Sequence, residues 1–110
     1  LLGHWARDIG SMSMAEAVRR LTSQPAGIFG MHGRGQIRPG YAADLLLFDP
    51  ATVGRGPKRR VFDLPGGAPR LHTDALGVHG VWVNGQQIAD SSGLLREAPL
   101  AGQLLTEFAA

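Results

Sequence analysis

At residues 33–49 the chain reads GRGQIRPGYAADLLLFD, and this segment passes from glycine-rich turns into an apolar strand. Residues 36–38, Gln-Ile-Arg, are predicted to form a short strand, and Pro39-Gly40 is a turn signal. The mainly apolar run of residues 44–49 has the length of a strand and is ended by Pro50. The segment therefore predicts the beginning of a small β-structure.

A β-hairpin is predicted further along the chain. The mostly apolar residues 78–83 are followed by Asn84-Gly85 and then by residues 86–89. Asn-Gly is a strong signal for a type I′ turn, because both turn residues need positive φ. Trp82 lies in the first strand of this hairpin and is expected to pack in the β-core. Residues 54–70 are rich in glycine, proline and basic residues and have little periodicity, so a loop is predicted there.

Helices are predicted upstream of residue 33. Ser13-Met14-Ala15-Glu16 has the spacing of a capping box, in which the Ser13 hydroxyl accepts from the Glu16 amide and Glu16 reaches back. A second short helix opens around Pro25, which the first turn of a helix tolerates, and residues 2–9 are typical of the end of a further helix. Apolar residues at helical spacing after the capping box form a packing face: Met14, Val18 and Leu21.

Together these elements predict an α+β fold, in which two N-terminal helices precede three or four short strands. Residues 1–32 are predicted to be a helical segment, residues 33–95 a small β-domain, and residues 96–110 a C-terminal tail or short helix. A free α+β domain has this order of elements. The same order of elements occurs where the last helices of a barrel are followed by a small β-domain.

Composition limits the class of protein. The chain has 110 residues, enough for one small domain that buries roughly two thirds of the surface of its unfolded chain. It contains no cysteine, which excludes disulfides, thiolate metal sites and a cysteine nucleophile, and we expect a reducing, cytoplasmic location. The net charge of +2 does not indicate a nucleic-acid partner. No run approaches the ~18 apolar residues of a membrane span, so no membrane association is expected.

The beginning of the chain does not have the pattern of a signal peptide. Residues 1–5 contain no basic segment followed by an apolar stretch. The sequence starts in mid-pattern and without methionine, so we expect it to be a piece of a longer polypeptide.

The histidines do not predict a metal or nucleophilic site. His72-Thr73-Asp74 could belong to a nucleophilic triad, but the chain has no G-x-S-x-G turn, and a turn capped by Asp74 is predicted instead. The spacings of the four histidines suit neither a pair one helical turn apart nor a short loop clamp. Scattered histidines are the simpler interpretation: His4, His32, His72 and His79.

The carboxylates and basic residues do not predict a catalytic site either. Asp44 and Asp49 lie at an odd offset along a strand and so on opposite faces, which places them poorly as an acid–base pair. Asp44 is predicted to be a turn carboxylate that accepts backbone amides. We expect no catalytic, cofactor-binding or metal-ligating residue in this chain. A basic cluster without interleaved aromatic residues is predicted to be a solvated loop: Arg55, Lys58, Arg59 and Arg60.

Two passages resemble the small β-domain of the amidohydrolase superfamily. Residues 35–49 fit the shorthand G-x-I-x-x-G-x-x-A-D-L followed by hydrophobic residues and an aspartate, and Val81–Gly85 resembles the V-x-V-N-G hairpin that follows it. Two further stretches, Leu2–Arg7 and Glu16–Ala26, discriminate better among the families of this superfamily. They look like the L-G-x-[WY]-x-R and E-A-V-R-K-L-T-S-x-P-A stretches of N-acyl-D-amino-acid deacylases. The resemblance covers about residues 1–90.

This resemblance implies the C-terminal part of a metal-dependent amidohydrolase, with helices from the end of a TIM-type barrel followed by a β-domain of the composite type. In that family the metal ligands come from the barrel and include an H-x-H pair, which this chain lacks. The resemblance therefore implies zinc in the parent enzyme and no cofactor in this chain. The implied partners are the remainder of the barrel and, for the parent, a small N-acyl amino acid substrate.

Other interpretations remain open at this point. The parent could be a hydantoinase-like or dipeptide amidohydrolase, because the β-domain passages are shared among such enzymes. The chain could also be a free-standing β-module that binds a partner through a strand edge, or an anion-binding module that uses its basic loop. If the helical packing face was shaped to cover a barrel, the isolated chain is expected to self-associate.

Overall fold

The computed structural model describes residues 1–108 and has a mixed α+β fold, as predicted. Three helical segments come first, and eight short strands follow between residues 45 and 94. The helices are a π-helix Leu2–Asp8, α1 Met14–Leu21 and α2 Ser23–Ile28, and a 3₁₀ turn lies at Pro65–Gly67. The strands are β1 Leu45–Phe48, β2 Gly54–Arg55, β3 Arg59–Val61, β4 Arg70–His72, β5 Ala75–Leu76, β6 Val78–Val83, β7 Gln86–Asp90 and β8 Gly93–Leu94.

Local sequence signals set the ends of α1 and α2. The Ser13 hydroxyl accepts from the Glu16 amide at 3.1 Å, which confirms the predicted cap. The Glu16 carboxylate does not reach back as a capping box would; it binds Arg19 and Arg20, each at 2.7 Å. At the end of α2 the Met31 amide donates to the Ala26 carbonyl at 2.8 Å. Gly30 has a φ of 65° there, so this helix ends in a Schellman motif.

The main sheet has four antiparallel strands in the order β1-β6-β7-β8. The predicted hairpin is confirmed, because Val83 pairs with Gln86 around Asn84-Gly85. Asn84 and Gly85 both have positive φ, 49° and 81°, as a type I′ turn requires. β1 returns against β6 with Leu45 opposite Trp82, so β1 forms one edge of the sheet and β8 the other.

The prediction of a loop at residues 54–70 is wrong. β2 pairs with β5, and β3 pairs with β4, so that Gly54 lies opposite Leu76 and Val61 opposite Arg70. Residues 54–76 thus form one long hairpin, which we call the β-arm. Residues 56–58 lie opposite residues 73 and 74, so the first half of the β-arm, which contains β2 and β3, has one extra residue. Such a bulge reverses the alternation of side chains, which removes the periodicity that would have indicated a strand.

The prediction of a strand at residues 36–38 is also wrong. These residues are irregular, and Ile37 is 90% exposed. The Tyr41 amide donates to the Arg38 carbonyl at 3.1 Å around Pro39 and Gly40, whose φ is 82°. This is a type II turn and confirms the turn signal. Arg38 is thus already part of the turn, which leaves too few residues for a strand.

The C-terminal residues are described as far as residue 108. Residues 99–108 form no helix or strand, and residues 109 and 110 lie outside the described residues. Among residues 1–108, no helix has the length and apolar character needed to cross a membrane.

The core is small and consists of small side chains. One alanine from each helical segment is buried, together with a valine after β1, and within residues 1–108 no large apolar side chain is almost fully buried. The packing face of α1 is half-buried at Met14 and Val18 and exposed at Leu21. The described residues therefore do not cover this face. The buried hydrophobic residues are Ala6, Ala17, Ala26 and Val53.

Candidate functional site

The four histidines lie in different parts of the fold. His4 belongs to the π-helix, where its ring meets the Trp5 ring edge-on at 5.2 Å between centroids. His32 lies in the turn after α2, His72 on β4 and His79 on β6. Within residues 1–108, no three histidine or acidic side chains lie close enough together to hold a metal ion.

His72 and Asp74 do contact one another, but as part of the β-arm. His72 Nε2 lies 3.0 Å from Asp74 Oδ1, and Arg59 contacts the same carboxylate at 3.4 Å. These two partners, His72 first, hold the pKa of Asp74 below its usual range. In the described chain the other hydrogen-bond partner of the His72 ring is Arg70, which is not a nucleophile. The geometry is that of a charged surface ladder and not of a catalytic triad.

The basic residues of the β-arm are partly neutralised. Arg70 binds Asp63 through two bonds of 2.7 and 2.6 Å, and this pairing lowers the pKa of Asp63. Arg59 contacts Asp74. Arg55 and Lys58 line a shallow depression of about 480 Å³ together with Gly56 and Pro57. The cluster predicted to be a solvated loop is exposed, but it lies on strands and their connection.

Asp44 and Asn84 connect the passage of residues 35–49 to the Val81–Gly85 hairpin through a cluster of hydrogen bonds, which we call the polar lock. The Asn84 amide donates to Asp44 Oδ1 at 2.9 Å, which confirms that Asp44 is a turn carboxylate. The Arg34 guanidinium, whose side chain is 17% exposed, pairs with Asp44 and donates to Asn84 Oδ1 at 3.0 Å. The Asn84 side chain also donates to the Ala101 carbonyl at 2.6 Å. One aspartate therefore orients the hairpin turn, and the turn holds the C-terminal tail.

A second set of close contacts connects the π-helix to the turn after β1. Arg7 donates to the Val53 carbonyl at 2.6 Å. A Cβ at Gly3 would lie 2.5 Å from the same oxygen, so this close approach needs glycine. Asp49 shapes the turn by accepting from the Ala51 amide at 2.8 Å and the Thr52 hydroxyl at 3.0 Å, in that order the main causes of its lowered pKa. Asp49 is thus a turn residue, like Asp44.

An apolar groove of about 710 Å³ lies between α1 and β1. All four residues of β1 line it, and Trp82 contributes from β6. Sequence reasoning placed Trp82 in a β-core, but the side chain is half-buried and faces this groove. The signal that could have indicated the groove is the unbroken apolar run of residues 45–48, which is typical of a strand covered on both faces. Apolar residues from the helices and the 35–37 loop complete the lining: Leu2, Val18, Leu21 and Ile37.

Comparisons with known proteins agree with one another. The sequence profile of the Amidohydrolase family matches residues 2–89. D-aminoacylase of Alcaligenes xylosoxydans xylosoxydans is 38% identical over 110 residues, all of this chain and 20% of the relative. N-acyl-D-aspartate deacylase of the same organism is 37% identical over 90% of this chain and 18% of the relative. A solved D-aminoacylase, whose binuclear metal centre is activated by one metal and attenuated by a second, superposes with a TM-score of 0.68 at 38% identity. That match covers 87% of this chain and 18% of the solved one, so the chain spans about a fifth of the length of these relatives.

Proposed function

Since this chain belongs to the amidohydrolase family, we propose that it is a non-catalytic part of a longer metal-dependent enzyme that hydrolyses N-acyl-D-amino acids. The observation that carries the proposal is the 38% identity to a D-aminoacylase over all 110 residues. A relative named for N-acyl-D-aspartate supports the same substrate class. Because the match covers 20% of the relative, the activity itself belongs to the longer polypeptide.

The role proposed for this chain is to complete and support the catalytic part. The residues that carry the family resemblance make structural contacts here. Gly3 and Arg7 join the π-helix to Val53, and Asp44 orients the Asn84 turn. These contacts position elements of the fold relative to one another. The helical segment would be the end of the barrel, and the strands the small β-domain attached to it.

Zinc is proposed for the longer enzyme and not for this chain. A zinc ion that activates water needs three protein ligands on one centre. No such group occurs among residues 1–108, which supports assigning the metal to the rest of the longer polypeptide. The absence of cysteine supports a cytoplasmic location as part of the proposal.

The test is an assay of the longer polypeptide that contains this sequence. It is offered N-acetyl-D- and N-acetyl-L-amino acids, dipeptides and cyclic amides, with and without a chelator. We expect hydrolysis of the D-substrates that is lost on metal removal, and no activity or stoichiometric zinc for the 110-residue chain alone. Hydrolysis of cyclic amides alone, or activity that survives removal of all metal, would overturn the proposal.

A second candidate is a free-standing β-module that binds a partner through a strand edge. The outer edge of β1, which has no strand partner among residues 1–108, favours it, since extended peptides add to such edges. A reading frame whose start codon directly precedes Leu1 would favour this candidate, and one that continues upstream into a barrel would favour the enzyme.

A further inference from the structure

The outer half of the β-arm is a two-stranded ribbon. Within the described chain β3 and β4 pair only with each other, and they form a sheet of their own. In water a two-stranded hairpin is marginally stable at best, and it becomes stable when one of its faces packs against another element. One face of this ribbon is therefore expected to be covered.

The first face of the ribbon neutralises its own charges. Arg59 lies opposite His72, and both side chains contact the Asp74 carboxylate. Nearer the tip, Arg70 binds Asp63 through two hydrogen bonds of 2.7 and 2.6 Å. Both arginines on this face thus have a carboxylate partner, and the ion pairs they form are exposed. Charged side chains of this kind belong to a face that remains in water.

The second face of the ribbon, which we call the Arg60 face, consists of Arg60, Phe62 and Leu71. Arg60 lies directly opposite Leu71, so these two side chains share a face. Asp63 reaches Arg70 on the first face, which leaves the preceding residue, Phe62, on the Arg60 face. Phe62 and Leu71 are 65% and 66% exposed. Arg60 is also exposed and, unlike the two arginines of the first face, makes no ion pair with residues 1–108.

The composition of the Arg60 face is that of a protein interface. Aromatic side chains and arginine are enriched in interfaces and at their energetic centres. A surface that covers Phe62 and Leu71 also removes Arg60 from water, because Arg60 lies opposite Leu71. A buried guanidinium needs a partner, and a carboxylate accepts two parallel hydrogen bonds from its fork of donors. The surface that fits the Arg60 face is therefore apolar and carries a carboxylate.

The distribution of charge indicates where such a carboxylate comes from. Residues 54–76 contain five basic and two acidic residues, a net charge of +3, so the rest of the chain carries −1. Five of the seven acidic residues outside the β-arm already bond within the described chain: Asp8, Glu16, Asp44, Asp49 and Asp90. The other two, Glu97 and Glu107, lie in the tail, so a second copy of this region offers few carboxylates. The relatives carry about four fifths of their length outside the matched region, since the match covers 20% of the first of them.

We propose that the Arg60 face of the β-arm packs on the remainder of the same polypeptide, against an apolar surface that presents a carboxylate to Arg60. The Arg60 face is separate from the groove between α1 and β1, since no residue of the β-arm lines that groove. This inference goes beyond the proposed function and rests on it only in requiring a longer polypeptide.

The experiment measures amide hydrogen exchange in the longer polypeptide, with the β6–β7 hairpin as an internal reference. The paired amides of β3 and β4 are expected to exchange within about tenfold of those in β6 and β7, because a covered ribbon opens no more readily than the main sheet. Arg60→Glu sets two negative charges against each other and is expected to accelerate exchange in β3 and β4 at least about tenfold. Arg60→Lys keeps the charge and should retain most of the protection. Arg96→Glu is the matched control, because Arg96 is also exposed but lies outside the β-arm.

Exchange in β3 and β4 more than about tenfold faster than in β6 and β7 would overturn the inference. So would an Arg60→Glu variant whose β-arm exchanges as slowly as before or more slowly, since on an uncovered arm the substitution only relieves repulsion among cations. Protection that rises with the concentration of the polypeptide would assign the face to a second copy and also overturn it. If Arg60→Glu fails to fold, the unsubstituted polypeptide and Arg60→Lys still decide. An inactive polypeptide with a protected β-arm defeats the proposed function alone, and an active one with an unprotected β-arm defeats this inference alone.

Discussion

At the scale of single residues, the segments that resemble deacylases most selectively are explained by packing. Gly3 and Arg7 both meet the Val53 carbonyl, and Gly35 meets Thr22 and Ala26 at the junction of α1 and α2. A Cβ at Gly35 would lie 2.7 Å from the Ala26 Cβ. These glycines allow backbones to approach closely, so the motifs are accounted for by how the segments fit together.

Gly3→Ala is predicted to destabilise the chain by about 1–3 kcal/mol, because the new Cβ overpacks a backbone carbonyl that cannot move freely. Gly27→Ala is the matched control, since a Cβ there meets nothing within 4 Å. The control is expected to be neutral or to stabilise α2 by up to about 1 kcal/mol. Free energies of unfolding from urea titrations measure both. Equal effects of the two substitutions would contradict the close packing of Gly3 against the Val53 carbonyl.

The pH dependence of stability is predicted to include a contribution from Glu16. Hydrogen bonds from Arg19 and then Arg20 lower the pKa of this carboxylate from 4.5 to about 2. The folded pKa lies below the unfolded one, so the contribution is fully present above pH 4.5 and is lost as the pH falls towards 2. The variant Glu16→Gln should show a shallower loss of unfolding free energy across this window. Glu107→Gln, in the tail, should keep the slope of the unsubstituted chain.

At the scale of elements, the polar lock explains why the two superfamily passages occur together. The aspartate of the first passage accepts the amide of the asparagine in the second, and the Gly85 amide donates to the Ala43 carbonyl at 2.9 Å. The turn of one hairpin is therefore bonded to the residues that lead into β1. Neither passage forms this arrangement without the other.

Asn84→Val is predicted to destabilise the hairpin by about 2 kcal/mol, because a β-branched residue resists the φ of 49° at this position. Asn84→Gly separates the backbone contribution from the side-chain contribution. Glycine adopts the turn conformation readily, but the side-chain hydrogen bonds to Arg34 and Ala101 are lost. A smaller loss is expected for it. Gln86→Val, on the adjacent strand, is the control and should be close to neutral. Urea titrations that rank valine at position 84 no worse than glycine would contradict this account.

Sequence reasoning succeeded where a local signal determines the structure. The Ser13 cap, the type II turn at Pro39-Gly40 and the Asn84-Gly85 hairpin each depend on a few adjacent residues. It failed at the β-arm, where pairing joins residues up to 22 positions apart, Gly54 to Leu76, and a bulge breaks the alternation. The groove was not predicted, although the apolar run of residues 45–48 could have indicated it, because its other walls come from segments distant along the chain.

At the scale of the whole molecule, residues 1–108 bury few apolar side chains, and those are small. Its buried hydrophobic residues are three alanines and one valine, whereas β1 and the tip of the β-arm expose large ones. Phe62 and Leu71 of the β-arm are 65% and 66% exposed. A domain of this length normally owes most of its stability to large buried side chains. In the proposed longer polypeptide, residues outside 1–108 would supply the missing contacts.

The 110-residue chain in isolation is predicted to self-associate, because a large uncovered apolar surface on a soluble chain finds a partner surface. Light scattering should give a mass above the monomer value of 11.7 kDa that rises with concentration. Leu47→Asp should shift the chain towards the monomer by placing a charge in the groove. Leu104→Asp tests the tail, where Leu104 is exposed. A smaller shift is expected because Leu104 does not line the groove between α1 and β1. A strictly monomeric chain at high concentration would contradict the prediction. It would mean that the helices and the tail rearrange to cover β1 from within.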